Sequence, residues 1–221
     1  MISVSCMLFD LDGTLIDSSA DLARAVNLML ADLGRTALDQ PTVIDFVGDG
    51  VGVLVRRALT ATDPDHAAPD DATHREALAL MRKHYGRQML VETRLYPGVR
   101  ETLSHFAAKP KAIVTSKESG FARTLLEHLS IAQHFAHIVG GESLPQRKPD
   151  PAPVLEALHR IGHAPSAAVM IGDSENDVLA GRRAGARTCA VNYGFRGSEQ
   201  LRAAAPDFEI DRFDRLAEIF R

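Results

Sequence analysis

The chain gathers acids, hydroxyl groups and scarce lysines in four short clusters. They are Asp10-Leu11-Asp12-Gly13-Thr14, Thr115-Ser116-Lys117, Lys148-Pro149-Asp150-Pro151 and Asp173-Ser174-Glu175-Asn176-Asp177. Carboxylates brought together raise one another's pKa unless a cation offsets them. Asp10 and Asp173, with a backbone carbonyl and waters, would suit magnesium, which requires oxygen ligands and keeps several waters. An aspartate held by such an ion can attack a phosphoryl group and form an aspartyl-phosphate. The group in transfer carries charge on its equatorial oxygens, so donors and a cation must meet it. Thr115, Ser116 and Lys148 would supply these. Lysine is rare here, five residues against twenty arginines, so a lysine in such a cluster is less readily incidental.

Each cluster also has an ordinary structural reading. Asp12-Gly13 makes a turn, and Ser174 with Asp177 fits an S-x-x-D helix cap. Thr115 is a β-branched strand residue, and Lys148 could be a solvated charge. What weighs against four coincidences is position. Met7-Leu8-Phe9 leads into Asp10, and further short apolar runs stand at 112–115, 137–140, 168–172, 189–192 and 208–210. Helical patterns lie between them at 98–108, 119–130, 151–161 and 175–184. This alternation predicts an α/β core, a doubly wound, Rossmann-like parallel sheet with helices on both faces. Ligands of such sheets bind at the carboxyl ends of the strands, near the point where strand order reverses. All four clusters fall at strand ends of that kind.

Residues 17–92 read differently. Ser18-Ser19-Ala20-Asp21 opens an amphipathic helix with Leu22, Ala25, Val26, Met29, Leu30 and Leu33 on one side, stopped at Gly34. More helical patterns follow near 41–47, 50–60 and 75–91, and nothing alternates as a strand. An insert of roughly 75 residues is too long for an unstructured loop. The expected division is therefore a core of residues 1–16 and 93–221, with an inserted helical domain at 17–92.

Bulk composition narrows the partners. With 221 residues, 45% hydrophobic and 24% charged, the chain can build a sizeable core. A net charge of −4 and basic runs no longer than pairs argue against nucleic acid and against an anionic membrane surface. No run approaches the ~20 apolar residues of a membrane span, and no basic n-region suggests a signal peptide. Cys6 and Cys189 lie in apolar runs without C-x-x-C spacing, which fits small core residues in a reducing cytoplasm. A monomer or homodimer is expected. Gly48-Asp49-Gly50-Val51-Gly52 follows no strand, so a dinucleotide site is not expected, and no P-loop, H-E-x-x-H or G-x-S-x-G motif occurs.

The segments "DLDGT", "VTS", "KPDPAP" and "GDSEND", in this order, resemble the four motifs of the haloacid dehalogenase-like phosphatase superfamily. The insert resembles that superfamily's small α-helical cap. More narrowly, "VGDGVGVLVRRAL", "GGESLPQRKPDPAP" and "VNYGFRG" are similar to segments of phosphoglycolate phosphatases. The resemblance implies a magnesium-dependent phosphatase of a small phosphorylated metabolite. It makes Asp10 the nucleophile and a metal ligand, and Asp12 the general acid–base that also binds the metal through its carbonyl. Thr115 and Ser116 would hold phosphoryl oxygens, Lys148 would neutralise charge, and Asp173 would complete the metal site. Asp177 would orient Lys148 or a metal-bound water. Ser116 stands where asparagine is frequent, and Glu142 where aspartate is. Within the insert, the turn at Gly48 and one of Arg56 and Arg57 are candidates for reading a substrate carboxylate. Three alternatives remain at this point: a phosphatase of another small phosphoester or of pyrophosphate, a phosphosugar mutase of the same superfamily, and a phospho-accepting signalling module.

Overall fold

In a computed structural model of the protein, residues 1–221 are described throughout, apart from the side chain of Ser198. The elements in chain order begin with β1 (Cys6–Phe9), β2 (Ile16–Asp17), α1 (Ser19–Asp32), α2 (Gln40–Asp45), α3 (Val51–Ala61) and α4 (Asp71–Gln88). Then come β3 (Arg94–Leu95), α5 (Val99–His105), β4 (Lys111–Val114), α6 (Ser119–His128), β5 (His137–Val139) and α7 (Ala152–Ile161). The chain ends with β6 (Ala168–Gly172), α8 (Glu175–Ala184), β7 (Arg187–Val191), α9 (Ser198–Ala203), β8 (Phe208–Ile210) and α10 (Leu216–Ile219). They form two compact units. One holds Met1–Asp17 and Arg94–Arg221, and the other holds Ser18–Thr93.

The first unit is built on a six-stranded sheet of order β5-β4-β1-β6-β7-β8. Every neighbouring pair is parallel. From β1 the sheet grows through β4 to β5 on one side, then resumes on the other side at β6. The order therefore reverses at β1, the crevice where ligands settle in doubly wound folds. Residues of β1, β4 and β6 are buried on both faces, which explains their near-continuous apolar runs. On one face Cys6, Leu8, Val114 and Met170 pack with Val154, Ala157 and Leu158 of α7 and Ala180 of α8.

The two-residue strands β2 and β3 pair antiparallel, Ile16 with Leu95 and Asp17 with Arg94. Here the chain leaves the α/β unit and returns to it. Two residues are too few to show alternation, so the sequence pattern does not reveal this ladder.

The second unit is helical. Within it α1 packs against α2, α3 and α4. Asp39 and Asp70 accept from the backbone N–H groups of Thr42 (2.9 Å) and Thr73 (2.7 Å), capping α2 and α4. The Asp70 cap starts α4 at Asp71, four residues before the apolar periodicity begins at 75. Asp71, Thr73 and His74 make a largely polar first turn that a hydrophobic pattern cannot show. The ends of the unit are tied together by Asp21. Its carboxylate accepts from the N–H groups of Glu92 (2.9 Å) and Thr93 (2.9 Å) and from the Thr93 hydroxyl (2.9 Å).

Candidate active site

β1 stops at Phe9, but the N–H of Asp10 still donates to the carbonyl of Ile171 (2.9 Å). The first acid is thus fixed beside β6, where the strand order reverses. Its Oδ1 accepts the Leu11 N–H (2.7 Å) and lies 3.2 Å from Lys148 Nζ. Behind it the chain turns sharply, with Thr14 N–H donating to Leu11 O (3.2 Å) and Gly13 N–H to Ile16 O (2.9 Å). Gly13 has φ of +79°, and a Cβ there would stand 2.1 Å from Asp173 Oδ2. Both conformation and space therefore demand glycine.

Asp173 follows β6 and is buried. Its Oδ1 accepts from the Thr14 hydroxyl (3.2 Å), and its Oδ2 from the N–H of Phe195 (2.7 Å). Ser174 and Asp177 start α8 with a reciprocal cap. One oxygen of Asp177 accepts from the N–H (3.1 Å) and hydroxyl (2.6 Å) of Ser174, while the other accepts from Lys148 Nζ at 2.5 Å. Asp177 is a helix cap and a partner of the lysine at once. Lys148 also donates to the carbonyl of Val114 (2.9 Å), the last residue of β4. Arg183 on α8 reaches the carbonyl of Pro149 (2.8 Å), so the segment carrying Lys148 is held from two places on one helix.

One carboxylate oxygen from each of Asp10, Asp173 and Asp177 lies within 4.8 Å of the others. Burial pushes the Asp10 carboxyl up to about 7; Lys148 opposes the rise, and Asp177 and Asp12 add to it. Burial, then the charges of Asp10 and Asp177, hold Asp173 well above the usual carboxylate range. Burial works against the charge on Lys148, but Asp10 and Asp177 outweigh it and raise its pKa. Three acids share one ammonium, and the deficit of positive charge falls on an all-oxygen donor set. That is the chemistry of a hard divalent cation site. Among the described residues no other group of His, Cys, Asp and Glu has such spacing.

Around this cluster stand the remaining strand-end residues. Thr115 extends β4 by donating its N–H to Val139 O (2.9 Å), and its hydroxyl accepts the N–H of Lys117 (3.2 Å). Thr115, Ser116 and Lys148 line a small cavity with Gly140, Gly141, Gln146 and Arg147. Glu142 faces the start of α6, its two oxygens each 3.0 Å from the Ser119 N–H, with the Ser119 hydroxyl bonded to it as well. That carboxylate is spent on the helix start. Asp12 Oδ2 lies 3.1 Å from Lys117 Nζ, and both side chains are nearly buried. Lys117 is absent from the site residues expected above, although the scarcity of lysine that marks Lys148 marks it equally.

Gly48 and Arg56 belong to the helical unit. Gly48 has φ of +126° in the turn before α3. Arg57 is engaged with Asp49 (2.7 Å) and the carbonyl of Phe46 (3.0 Å), whereas Arg56 is exposed on α3. No helix among the described residues is long and apolar enough to cross a membrane.

Residues 7–191 match the family model described as haloacid dehalogenase-like hydrolase. A phosphoglycolate phosphatase of Pseudomonas putida is 42% identical over 207 residues, covering 93% of this chain and 75% of the relative. One from Colwellia psychrerythraea is 37% identical, with 95% and 94% covered. Among solved structures, a predicted phosphoglycolate phosphatase from Haemophilus somnus superimposes with a TM-score of 0.93 at 30% identity, covering 99% of both chains.

Proposed function

This chain belongs to the haloacid dehalogenase-like hydrolase family and is a phosphatase, and on that premise we propose that it is a magnesium-dependent phosphomonoesterase acting through an aspartyl-phosphate, with 2-phosphoglycolate as its substrate. The observation that carries the reading is the under-neutralised carboxylate of Asp10 at the strand-order reversal, between Lys148 and Asp173. Asp10 Oδ1 is committed to the Leu11 N–H and Lys148, and the other oxygen accepts no hydrogen bond among the described residues.

The carboxylates of Asp10 and Asp173 and the carbonyl of Asp12 would hold magnesium. When bound, the ion supplies the positive charge that this cluster and a phosphate dianion both lack. Asp10 attacks phosphorus and the bond to the substrate oxygen breaks, leaving phosphate on the carboxylate. Asp12 gives its proton to the departing oxygen. Water then attacks the phosphorus and yields a proton to Asp12; the Asp10–phosphorus bond breaks and phosphate leaves. Thr115 and Ser116 hold phosphoryl oxygens through both steps. Lys148 already meets Asp10, so the charge it offers lies where the phosphoryl group must arrive. Asp177 keeps that ammonium aimed, and Lys117 keeps the Asp12 side chain in place.

Specificity is assigned to the helical unit. Its exposed Arg56, with the Gly48 turn, is the candidate for the carboxylate of phosphoglycolate, since a guanidinium pairs such a group bidentately. Unpaired, buried Cys6 and Cys189 suit a reducing cytoplasm. The deciding experiment is a phosphate-release screen over many small phosphate esters, with Asp10→Asn as control. Phosphoglycolate should give the highest kcat/KM, and excess chelator should silence the enzyme until magnesium is restored. Full turnover in chelator would overturn the metal assignment, and a preferred substrate without a carboxylate would overturn the substrate.

A further inference from the structure

After β7 the chain makes a short loop that touches the strand-end cluster at three consecutive residues. Tyr193 lies against Tyr96, with ring centroids 4.7 Å apart, and its hydroxyl donates to the carbonyl of Thr14 at 2.8 Å. Gly194 passes so close that a Cβ on it would stand 2.2 Å from the Asp173 Cβ and 2.5 Å from the carbonyl of Gly13. Phe195 then donates its N–H to Asp173 Oδ2 (2.7 Å), while the Thr14 hydroxyl meets Oδ1 (3.2 Å). Each oxygen of Asp173 thus has one donor, and the two donors sit on segments joined by the Tyr193 hydroxyl.

The joint matters because Asp173 faces the like charges of Asp10 and Asp177. Without a cation, repulsion favours turning that carboxylate away, and two fixed donors oppose the turn. A ligand already aimed need not be ordered when the ion arrives, and affinity rises by that saving. Partners behind a metal ligand typically change metal affinity by ~10–100-fold when removed. Tyr193 is one step further out, and a smaller effect follows.

We infer that Tyr193 is a positioning residue for the metal site, anchoring both Thr14 and the Gly194–Phe195 turn so that Asp173 is held ready for the cation. The inference rests on the magnesium reading given above.

The test is equilibrium magnesium binding to the metal-free protein, followed by isothermal titration calorimetry, which needs no substrate. Tyr193→Phe keeps the ring against Tyr96 and removes only the hydroxyl, and it should weaken magnesium binding ~3–10-fold. Thr14→Val should weaken it too, whereas Thr14→Ser, which keeps a donor, should stay close to wild type. The double variant Tyr193→Phe/Thr14→Val should lose less than the product of the two single losses, because one residue acts largely through the other. Urea unfolding of each metal-free variant separates lost affinity from lost fold. Wild-type affinity in Tyr193→Phe, or losses that simply multiply in the double variant, would overturn the inference alone. A wild-type protein that binds no magnesium would overturn the metal reading and the inference together.

Discussion

Asp21 and Asp173 are both fully or almost fully buried aspartates, one in each compact unit, and they are held in opposite ways. Asp21 is saturated. Three donors from Glu92 and Thr93 converge on it, and the Arg24 guanidinium stands 3.6 Å away. Asp173 has two donors and two neighbouring carboxylates, and burial together with those charges lifts its pKa. Burial of an acid therefore does not mark a reactive site. What marks it is a deficit of positive charge that the protein's own side chains leave unfilled.

The contrast can be tested through activity on one side and stability on the other. The largest effect belongs to Asp10→Asn, which removes the nucleophile and one anionic ligand. Turnover should fall by at least ~10⁴-fold, the scale on which losing a nucleophile acts. The metal-free variant should unfold at no lower urea concentration than wild type, since a repelling charge is gone. Retention of a substantial share of the rate would rule out the covalent route.

Asp12→Asn comes next. It keeps the backbone carbonyl but cannot protonate the leaving oxygen, so phospho-enzyme formation from alkyl phosphates should slow by ~10²–10⁴-fold. Nitrophenyl phosphate, whose leaving group needs little help, should suffer less. Equal losses on the two substrates in single-turnover kinetics would count against the acid role.

Asp21→Ala should show the reverse pattern. Leaving the Glu92 and Thr93 donors unpaired should cost about 2–4 kcal/mol in chemical unfolding, with turnover per folded molecule close to wild type. A large fall in kcat for the folded variant would erase the distinction between the two aspartates.

The smallest effect is a slope. In the metal-free fold the Asp10 carboxyl binds its proton up to about 7, whereas the unfolded chain releases it near the ordinary carboxylate value. Between pH 4 and 7 this carboxyl therefore holds more of its proton in the folded state than in the unfolded one, and its contribution to stability declines as pH rises. One retained proton corresponds to about 1.4 kcal/mol per pH unit. Magnesium should flatten that slope, because the ion takes the place of the proton. Urea titrations across this range with and without magnesium would reveal it, and identical slopes would break the link between the charge deficit and the cation.

Much of the α/β unit was legible in the residues. Short apolar runs end abruptly in polar clusters because parallel strands are buried on both faces, and their ends are where solvent and ligands begin. Thr115 and Asp173 stand at such boundaries, and their joint position at strand ends, rather than either residue alone, made them candidates. The α8 start was equally readable, since Ser174 and Asp177 make a cap by spacing alone. The start of α4 was not, because its first turn is polar and only the geometry of Asp70 reveals it. The donor that Phe195 offers Asp173 is a backbone N–H, which every residue except proline carries, so no residue type announces it. Tyr193 is similar. A tyrosine after a strand reads as apolar bulk until its hydroxyl is seen on the Thr14 carbonyl. The pairing of Lys117 with Asp12 needed the fold to bring two strand ends together.

The short ladder between β2 and β3 bears on how the sheet can assemble. β1 must find β4, and Met7 pairs with Lys111 across a stretch of roughly a hundred residues, for which loop-closure entropy would be high. Asp17 and Arg94 are partners, however, and just inside them Asp21 ties the start of the helical unit to Glu92 and Thr93. Once that unit has folded, its 76 residues count as a closed knot on the string. The loop left for β1 and β4 to close is then only about 25 residues, and two halvings of loop length lower the entropic cost by about 1.2 kcal/mol. To the sheet, the largest insertion in the chain is little longer than a hairpin.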